Sequence, residues 1–348
     1  MYESKSGERG IFNRLSAQKQ ASKYDRRDPT INYGTNPCCE IILRPKQFCN
    51  LSEVVVRAED TVESLTNKVE LATILGTIQS CFLDLKGLGR QWIKNTEEER
   101  LLGVSLTGIL DNVILANKTN DDLGKILDGL RHHSYNTNKL WSENFGIESS
   151  AAITCVKPSG TVSQLVDAAS GIHPRHSKFY IRTVRADKKD PLTKFMTDAG
   201  FPVEDELLKP DSMSVFSFPM QAPDNALTRY DLTAIEHMKI WKIYSEHWCE
   251  HKPSITVSVK EEEWMDVGAF VYANFESMSG VSFLPMSEHT YQQAPYQDCS
   301  KEEYEKLLQK MPKEVNWKEL SNYEKEDNTH GTQTLNCSGD VCEIVDIT

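Results

Sequence analysis

The chain has 348 residues, 39% of them hydrophobic, enough to bury a sizeable core in one large or two ordinary domains. Its formal net charge of −12 argues against nonspecific nucleic-acid binding, although a small phosphorylated substrate needs only a local basic patch. No apolar run is long enough to span a membrane, residues 1–5 open no signal peptide, and the nine cysteines form no CxxC or Cys/His quartet. A cytoplasmic chain with reduced thiols is expected, with neither a disulfide scaffold nor a metal site.

Residues 1–35 are polar and turn-rich, with a short helix expected near 15–22. Next comes Asn36, Pro37, Cys38, Cys39 and Glu40. Pro37 lacks a backbone N–H and pushes Asn36 out of the α region, so the stretch reads as extended. Alternate side chains of an extended chain share a face, which groups Asn36, Cys38 and Glu40 and turns Cys39 away. An amide, a thiol and a carboxylate then converge. The thiol can act as a nucleophile, a metal ligand or a source of a thiyl radical; the carboxylate can take a proton and the amide can hold hydroxyls. A strand at 39–44, a turn at 45–47 and a second strand at 51–57 would bring Cys49 back beside Cys38.

From Thr61 the period turns helical, with Leu65, Val69, Leu71, Leu75 and Ile78 recurring at threes and fours and Cys81 expected in the core. The acidic run 97–99 reads as the start of a buried helix over 101–110, and 121–144 as a further long helix. A buried strand at 151–156 leads into Pro158, Ser159, Gly160, Thr161, Val162 and Ser163. Small hydroxyl residues and a glycine at such a strand-to-helix turn offer N–H groups and hydroxyls to a phosphate. His173, Arg175 and Arg182 follow; pairing with acids or capping strands explains them more simply than phosphate contact. Strands expected at 179–185, 214–219, 253–259 and 281–285 alternate with helices at 190–200, 232–248 and 261–275, which argues for parallel β/α units with a site at the strand ends. Beyond a charged helix at 301–311 the chain becomes polar and, from about Tyr323, is expected to be mobile. Cys337 and Cys342 stand there with Gly339 between them, spaced so that they could close a disulfide or remain two ordinary thiols.

Asn36-x-Cys38-x-Glu40, with Cys49 eleven residues past Cys38, resembles the finger loop of ribonucleotide reductases, and residues 6–14, the 157–163 segment and the terminal cysteine pair extend the likeness. The resemblance is to the adenosylcobalamin-dependent, class II type: the Cys38–Cys49 interval is short and no adjacent Tyr-Tyr pair is present for radical transfer from another subunit. It implies an α/β fold, the C-terminal half of the ten-stranded β/α barrel over residues 1–322 with its finger loop at 33–50, and a flexible redox tail at 323–348. It further implies reduction of ribonucleotides, of the triphosphate type, to 2′-deoxyribonucleotides with adenosylcobalamin as cofactor. Cys38 would carry the thiyl radical, Glu40 would take the 3′-hydroxyl proton, Asn36 would hold the ribose hydroxyls and Cys49 would supply reducing electrons. Residues 158–163 would bind the substrate phosphates, and Cys337 and Cys342 would exchange electrons with thioredoxin or glutaredoxin. The thiol partner of Cys49 has no counterpart here, which implies a separate N-terminal half as partner. Two readings of other kinds stand beside this one: a hydrolase or transferase with Cys38 as nucleophile, which would need a histidine, and a non-catalytic remnant that binds nucleotide.

Overall fold

In the computed structural model, which describes residues 10–116, 121–286, 292–325, 334–338 and 341–345, the chain divides into two units. One comprises Met1–Arg175 and Asp224–Met286, the other His176–Pro223 and Ser287–Thr348. Residues 6–9, and 326–333 of the expected tail, lie outside the described residues.

The first unit opens with β1 (Gly10–Phe12), α1 (Arg14–Ser22) and a small hairpin of β2 (Gly34–Thr35) and β3 (Ile42–Leu43). There follow β4 (Asn50–Val55), α2 (Val62–Gln79), α3 (Arg90–Glu99), β5 (Leu102–Thr107), α4 (Asp121–Phe145), β6 (Thr154–Cys155) and α5 (Thr161–Leu165). The chain then leaves for the second unit through β7 (Phe179–Asp187), α6 (Pro191–Asp198), β8 (Val203–Asp205) and β9 (Met213–Gln221). It returns with α7 (Ala234–Ile243), β10 (Ile255–Val259), α8 (Trp264–Asn274) and β11 (Ser279–Pro285). The second unit closes with β12 (Tyr296–Asp298), α9 (Lys301–Lys310), α10 (Leu320–Tyr323) and a hairpin of β13 (Thr334–Ser338) and β14 (Val341–Val345).

Strands β4, β5 and β6 pair in parallel, a parallel bridge joins Val156 to Pro253, and β10 pairs in parallel with β11. The spatial order is therefore β4-β5-β6-β10-β11, five parallel strands, with β1 antiparallel on the far side of β11. Among the described residues β4 has no strand on its outer side. Helices carry the crossovers that parallel neighbours require, and this unit is an α/β half barrel. The parallel β/α units do not extend to the strands expected at 179–185 and 214–219: these are β7 and β9, which pair antiparallel in the second unit, because a strand's residue pattern does not specify the direction of its neighbour. The second unit is a four-stranded antiparallel sheet, ordered β12-β7-β9-β8. Beside that sheet Phe195 packs against Trp317 and Tyr323, ring centroids 5.4 Å apart in each case.

Three expectations change. The span 101–110 is a strand followed by one 3₁₀ turn, and every residue of β5 is buried. A short apolar run covered on both faces has no period to distinguish strand from helix, and the acids at 97–99 end α3 instead of starting a helix. On α2 the buried face is Leu65, Val69, Ala72 and Gly76, whereas Leu71, Leu75 and Ile78 are exposed. The small residues face inward because the helix lies close to β5: a Cβ on Gly76 would come within 3.3 Å of Leu102 Cδ1. Cys81 is exposed and not in the core.

Helix α4 lies along α2 through a polar seam, where Thr73 Oγ1 and Ser134 Oγ are 2.8 Å apart and Asn138 Nδ2 donates to Thr77 Oγ1 at 2.9 Å. Beyond α7 the chain makes a π turn (Tyr244–Trp248), which allows both tryptophans of this stretch to be buried with their indole N–H groups satisfied. Trp241 donates to the Pro253 carbonyl at 2.9 Å and Trp248 to that of Cys155 at 2.8 Å. These bonds fix the ends of β6 and β10 that carry the residues described next.

Candidate active site

Residues 36–39 form a turn and not the extended segment expected from Pro37. Cys39 N donates to the Asn36 carbonyl at 2.9 Å, and Cys39 has φ of 64°. The backbone of Cys39 is pressed against β11, where a Cβ on Gly280 would stand 2.8 Å from the Cys39 Cβ and 2.9 Å from its carbonyl oxygen. Asn36 Oδ1 closes the turn by accepting the Ile41 N–H at 3.0 Å, and its amide nitrogen makes no hydrogen bond to the described residues.

Of the predicted groups, Cys38 and Cys49 are both coupled to Glu40, while Asn36 is tied into the turn itself. Cys38 is exposed, while Glu40 is fully buried. Burial by its surroundings pushes the Cys38 thiol up, the Glu40 carboxylate pushes it further, and Lys157 opposes both. Cys49 is pushed up more strongly by the same order of causes, burial and then Glu40, with Arg27 and Lys157 opposing. One carboxylate therefore acts on both thiols, and both stay protonated at neutral pH. The Cys49 sulfur lies over β5 where Gly103 leaves room: a Cβ there would be 3.1 Å from it.

Glu40 Oε1 pairs with Lys157 Nζ at 2.9 Å, and Oε2 is buried without a hydrogen-bond partner. Burial alone would lower the Lys157 ammonium, but the charge of Glu40 and the hydrogen bond to it outweigh this and raise it. Oε2 is thus an acceptor that the described residues leave open.

Both limbs of the loop hang on Glu99 at the end of α3. Arg27 binds Glu99 through two nitrogens, at 3.1 and 2.8 Å, and donates to the Ile42 carbonyl at 2.9 Å. Gln47 Nε2 reaches Glu99 Oε2 at 2.6 Å, Arg44 pairs with Glu99 Oε1 at 3.0 Å, and Phe48 packs against Trp92, the rings tilted by 30° with centroids 4.8 Å apart. His251 accepts the Ile42 N–H at 3.3 Å and bonds the Leu102 carbonyl at 2.9 Å, which sets the tautomer with hydrogen on Nε2. Burial, assisted by Arg27, lowers this imidazole to about 3, so it is neutral. Sequence reasoning missed Arg27, Gln47, Glu99, Lys157 and His251. Only Lys157 carried a signal, its position one residue before the proposed phosphate loop.

In that loop Ser159 Oγ accepts the Ser163 N–H at 3.1 Å and the Ser163 hydroxyl bonds the Ser159 carbonyl, so both buried hydroxyls are used internally. Pro158 is partly buried, and Gly160, Thr161 and Val162 are exposed. Arg175 is buried against Asp111, with bonds of 2.9 and 2.8 Å, and against Asp167 at 2.7 Å. His173 accepts the Thr256 N–H at 3.0 Å, and Arg182 stacks on Tyr296. Arg175 is therefore paired with acids, as the simpler reading expected, while His173 and Arg182 meet backbone groups and an aromatic ring. In the second unit the β13–β14 register sets Cys337 opposite Cys342. Opposed residues of an antiparallel pair have Cα atoms about 4.5–5.5 Å apart, a separation that a disulfide spans.

No family model matches the chain. It is similar to the adenosylcobalamin-dependent ribonucleoside-triphosphate reductase of Euglena gracilis, 27% identical over 316 residues that cover 88% of this chain and 41% of the relative. The enzyme of that name from Lactobacillus gasseri is 28% identical over 78% of this chain and 40% of its own length. One described as probable, from Dictyostelium discoideum, is 27% identical over 90% and 40%. The chain thus spans about two fifths of the length of these curated relatives. Among solved structures, a B12-dependent (class II) ribonucleotide reductase superposes with a TM-score of 0.72 at 24% identity, over 85% of this chain and 44% of that one. The alpha subunit of an Actinobacillus ureae class Id ribonucleotide reductase gives 0.52 at 15% identity, over 81% and 58%. The resemblance and the fold read from the sequence both stand.

Proposed function

We propose, from the premise that this chain is kin to the adenosylcobalamin-dependent ribonucleotide reductases, that it carries the radical and proton-transfer residues for reducing ribonucleoside triphosphates to 2′-deoxyribonucleotides. The observation that carries the reading is the pairing of an exposed, protonated Cys38 with a buried Glu40 whose Oε2 has no partner. Loss of a hydrogen atom requires S–H, which these surroundings preserve. A nucleophilic cysteine needs the opposite, a lowered thiol and a basic partner, and no histidine is among the groups that act on Cys38. The cysteine hydrolase reading is therefore set aside.

Bound adenosylcobalamin would supply, through its cobalt–carbon bond, the acceptor for the Cys38 hydrogen atom, and the exposed thiol fits that role. Thereafter the sulfur radical takes the 3′ hydrogen of the ribose, Glu40 Oε2 takes the 3′-hydroxyl proton, and the free amide nitrogen of Asn36 donates to a ribose hydroxyl. The 2′-hydroxyl leaves as water, two thiols furnish two electrons and two protons by forming a disulfide, and Glu40 and Cys38 then return the proton and the 3′ hydrogen atom to the sugar, which regenerates the sulfur radical. Cys49 is one of these thiols. Cys155 cannot be the other: β5 lies between β4, which follows Cys49, and β6, where Cys155 sits, so two strand spacings of about 4.8 Å separate them. That exceeds the Cα separation of about 7 Å that a disulfide tolerates. We assign the second thiol to a separate N-terminal half that completes the barrel. The exposed segment of the 158–163 loop would meet the substrate phosphates. Among the described residues no helix is long and apolar enough to cross a membrane, and we place the reaction in the cytoplasm.

The test is co-expression with an N-terminal reductase half and measurement of deoxynucleotide formation with adenosylcobalamin and dithiothreitol. In the proposed 323–348 redox tail, Cys337→Ser is expected to retain dithiothreitol-driven turnover and lose turnover driven by thioredoxin or glutaredoxin. Loss of both would refute the shuttle role of Cys337 and Cys342.

A further inference from the structure

We infer that Lys157 is a positioning residue for Glu40, one that supplies the counter-charge to this fully buried carboxylate and, by occupying one oxygen, directs the open one to the substrate. The inference rests on the reading above, in which Glu40 is the proton acceptor, and adds a residue to it.

Lys157 is the cation paired with Glu40, and a carboxylate removed from water with no counter-charge would favour its protonated form. Protonated Glu40 could not take a proton. The ammonium occupies Oε1, so only Oε2 is left to act. The lysine backbone is fixed independently of that pair. Its N–H donates to Ser105 Oγ at 2.8 Å, and Gly171 crosses its carbonyl so closely that a Cβ there would be 2.5 Å away. The lysine side chain keeps one third of its surface exposed, while the Glu40 side chain has none. Lys157 thus spans from solvent to the buried acid, and it immediately precedes the loop to which the substrate phosphates are assigned. Other groups coupled to this pair or to the finger-loop thiols include Cys38, Cys39 and Cys49 from the finger loop, Cys155 from β6, Arg27 and Lys252. Of these cations, only Lys157 bonds the Glu40 carboxylate among the described residues.

The sign of the effect follows. Removing the cation disfavours the charged acid, so the acidic limb of the pH–rate profile should move to higher pH in Lys157→Met, and the plateau should fall as well because the open oxygen is no longer directed. General disruption of the site would lower the rate at every pH and leave the limb where it is. Lys157→Arg keeps the charge and should restore the original limb. A second readout needs no turnover: infrared difference spectra of the full chain at neutral pH should show a protonated-carboxyl C=O band in Lys157→Met that is absent from the wild type, from Lys157→Arg and from the double variant Lys157→Met/Glu40→Gln. Absence of the band in Lys157→Met, or its presence in Lys157→Arg, would overturn the inference. If instead the band behaves as expected while Glu40→Gln alone turns over normally, Lys157 still positions Glu40 and the assignment of Glu40 as proton acceptor is what fails.

Discussion

Replacing Cys38 by serine is expected to abolish deoxynucleotide formation in the completed enzyme, a loss on the order of 10⁴-fold or more, as when a bond-making residue is removed from other enzymes. The fold should scarcely respond. Cys38 is exposed, and substitution at such a position changes stability by no more than about 0.5 kcal/mol. Circular dichroism and urea unfolding alongside the product assay would separate the two effects. The neighbouring thiol is the control: Cys39 has its sulfur 3.7 Å from the Pro37 carbonyl and its backbone against Gly280, so Cys39→Ser should remain active. Glu40→Gln should cost about 10²–10⁴-fold, the usual range for a lost general base. An active Cys38→Ser would remove the radical mechanism altogether.

Gly280→Ala should be a strongly damaging single-methyl change beside the site. Gly280 has φ of 86°, where an L side chain is strained, and the added Cβ would stand 2.8 Å from the Cys39 Cβ and 2.9 Å from the Cys39 carbonyl. Cys39 cannot yield easily because its own φ of 64° is already left-handed and its N–H closes the turn onto Asn36. Strain and overpacking together predict about 2–4 kcal/mol of lost stability, read from the shift in urea midpoint. Because the displaced residue lies between Cys38 and Glu40, activity should fall even below the unfolding transition. A variant that unfolds like the wild type would show that the loop is not seated on β11 as described.

The chemistry was legible in the sequence where residue type and short spacing determine it. Asn36, Cys38, Glu40 and Cys49 lie within fourteen residues, and the loop that carries them needed no long-range contact to be noticed. The alternation of strands and helices was legible for the same reason, except at 101–110, where burial on both faces removes the period; that β7 and β9 pair antiparallel was not, because alternation of element types does not give strand direction. Other features depend on residues remote in the chain. Lys157 lies 117 positions from Glu40, and Glu99 is 72 from Arg27 and 52 from Gln47. No local pattern announces a salt bridge across such intervals. The expectation of extended chain at 36–40 failed because Pro37 excludes helix for Asn36 but does not prevent Cys39 from adopting a left-handed turn, which the absent side chain of Gly280 makes possible.

The outer border of β4 has a practical corollary. Its row of amide groups can template any extended chain in register, including one from another copy of this polypeptide. Purified by itself and concentrated, the protein should clump through that border, and a polypeptide that truly belongs there should keep it dispersed. The fraction left in the supernatant after centrifugation then becomes a simple gauge of whether a candidate neighbour is the right one.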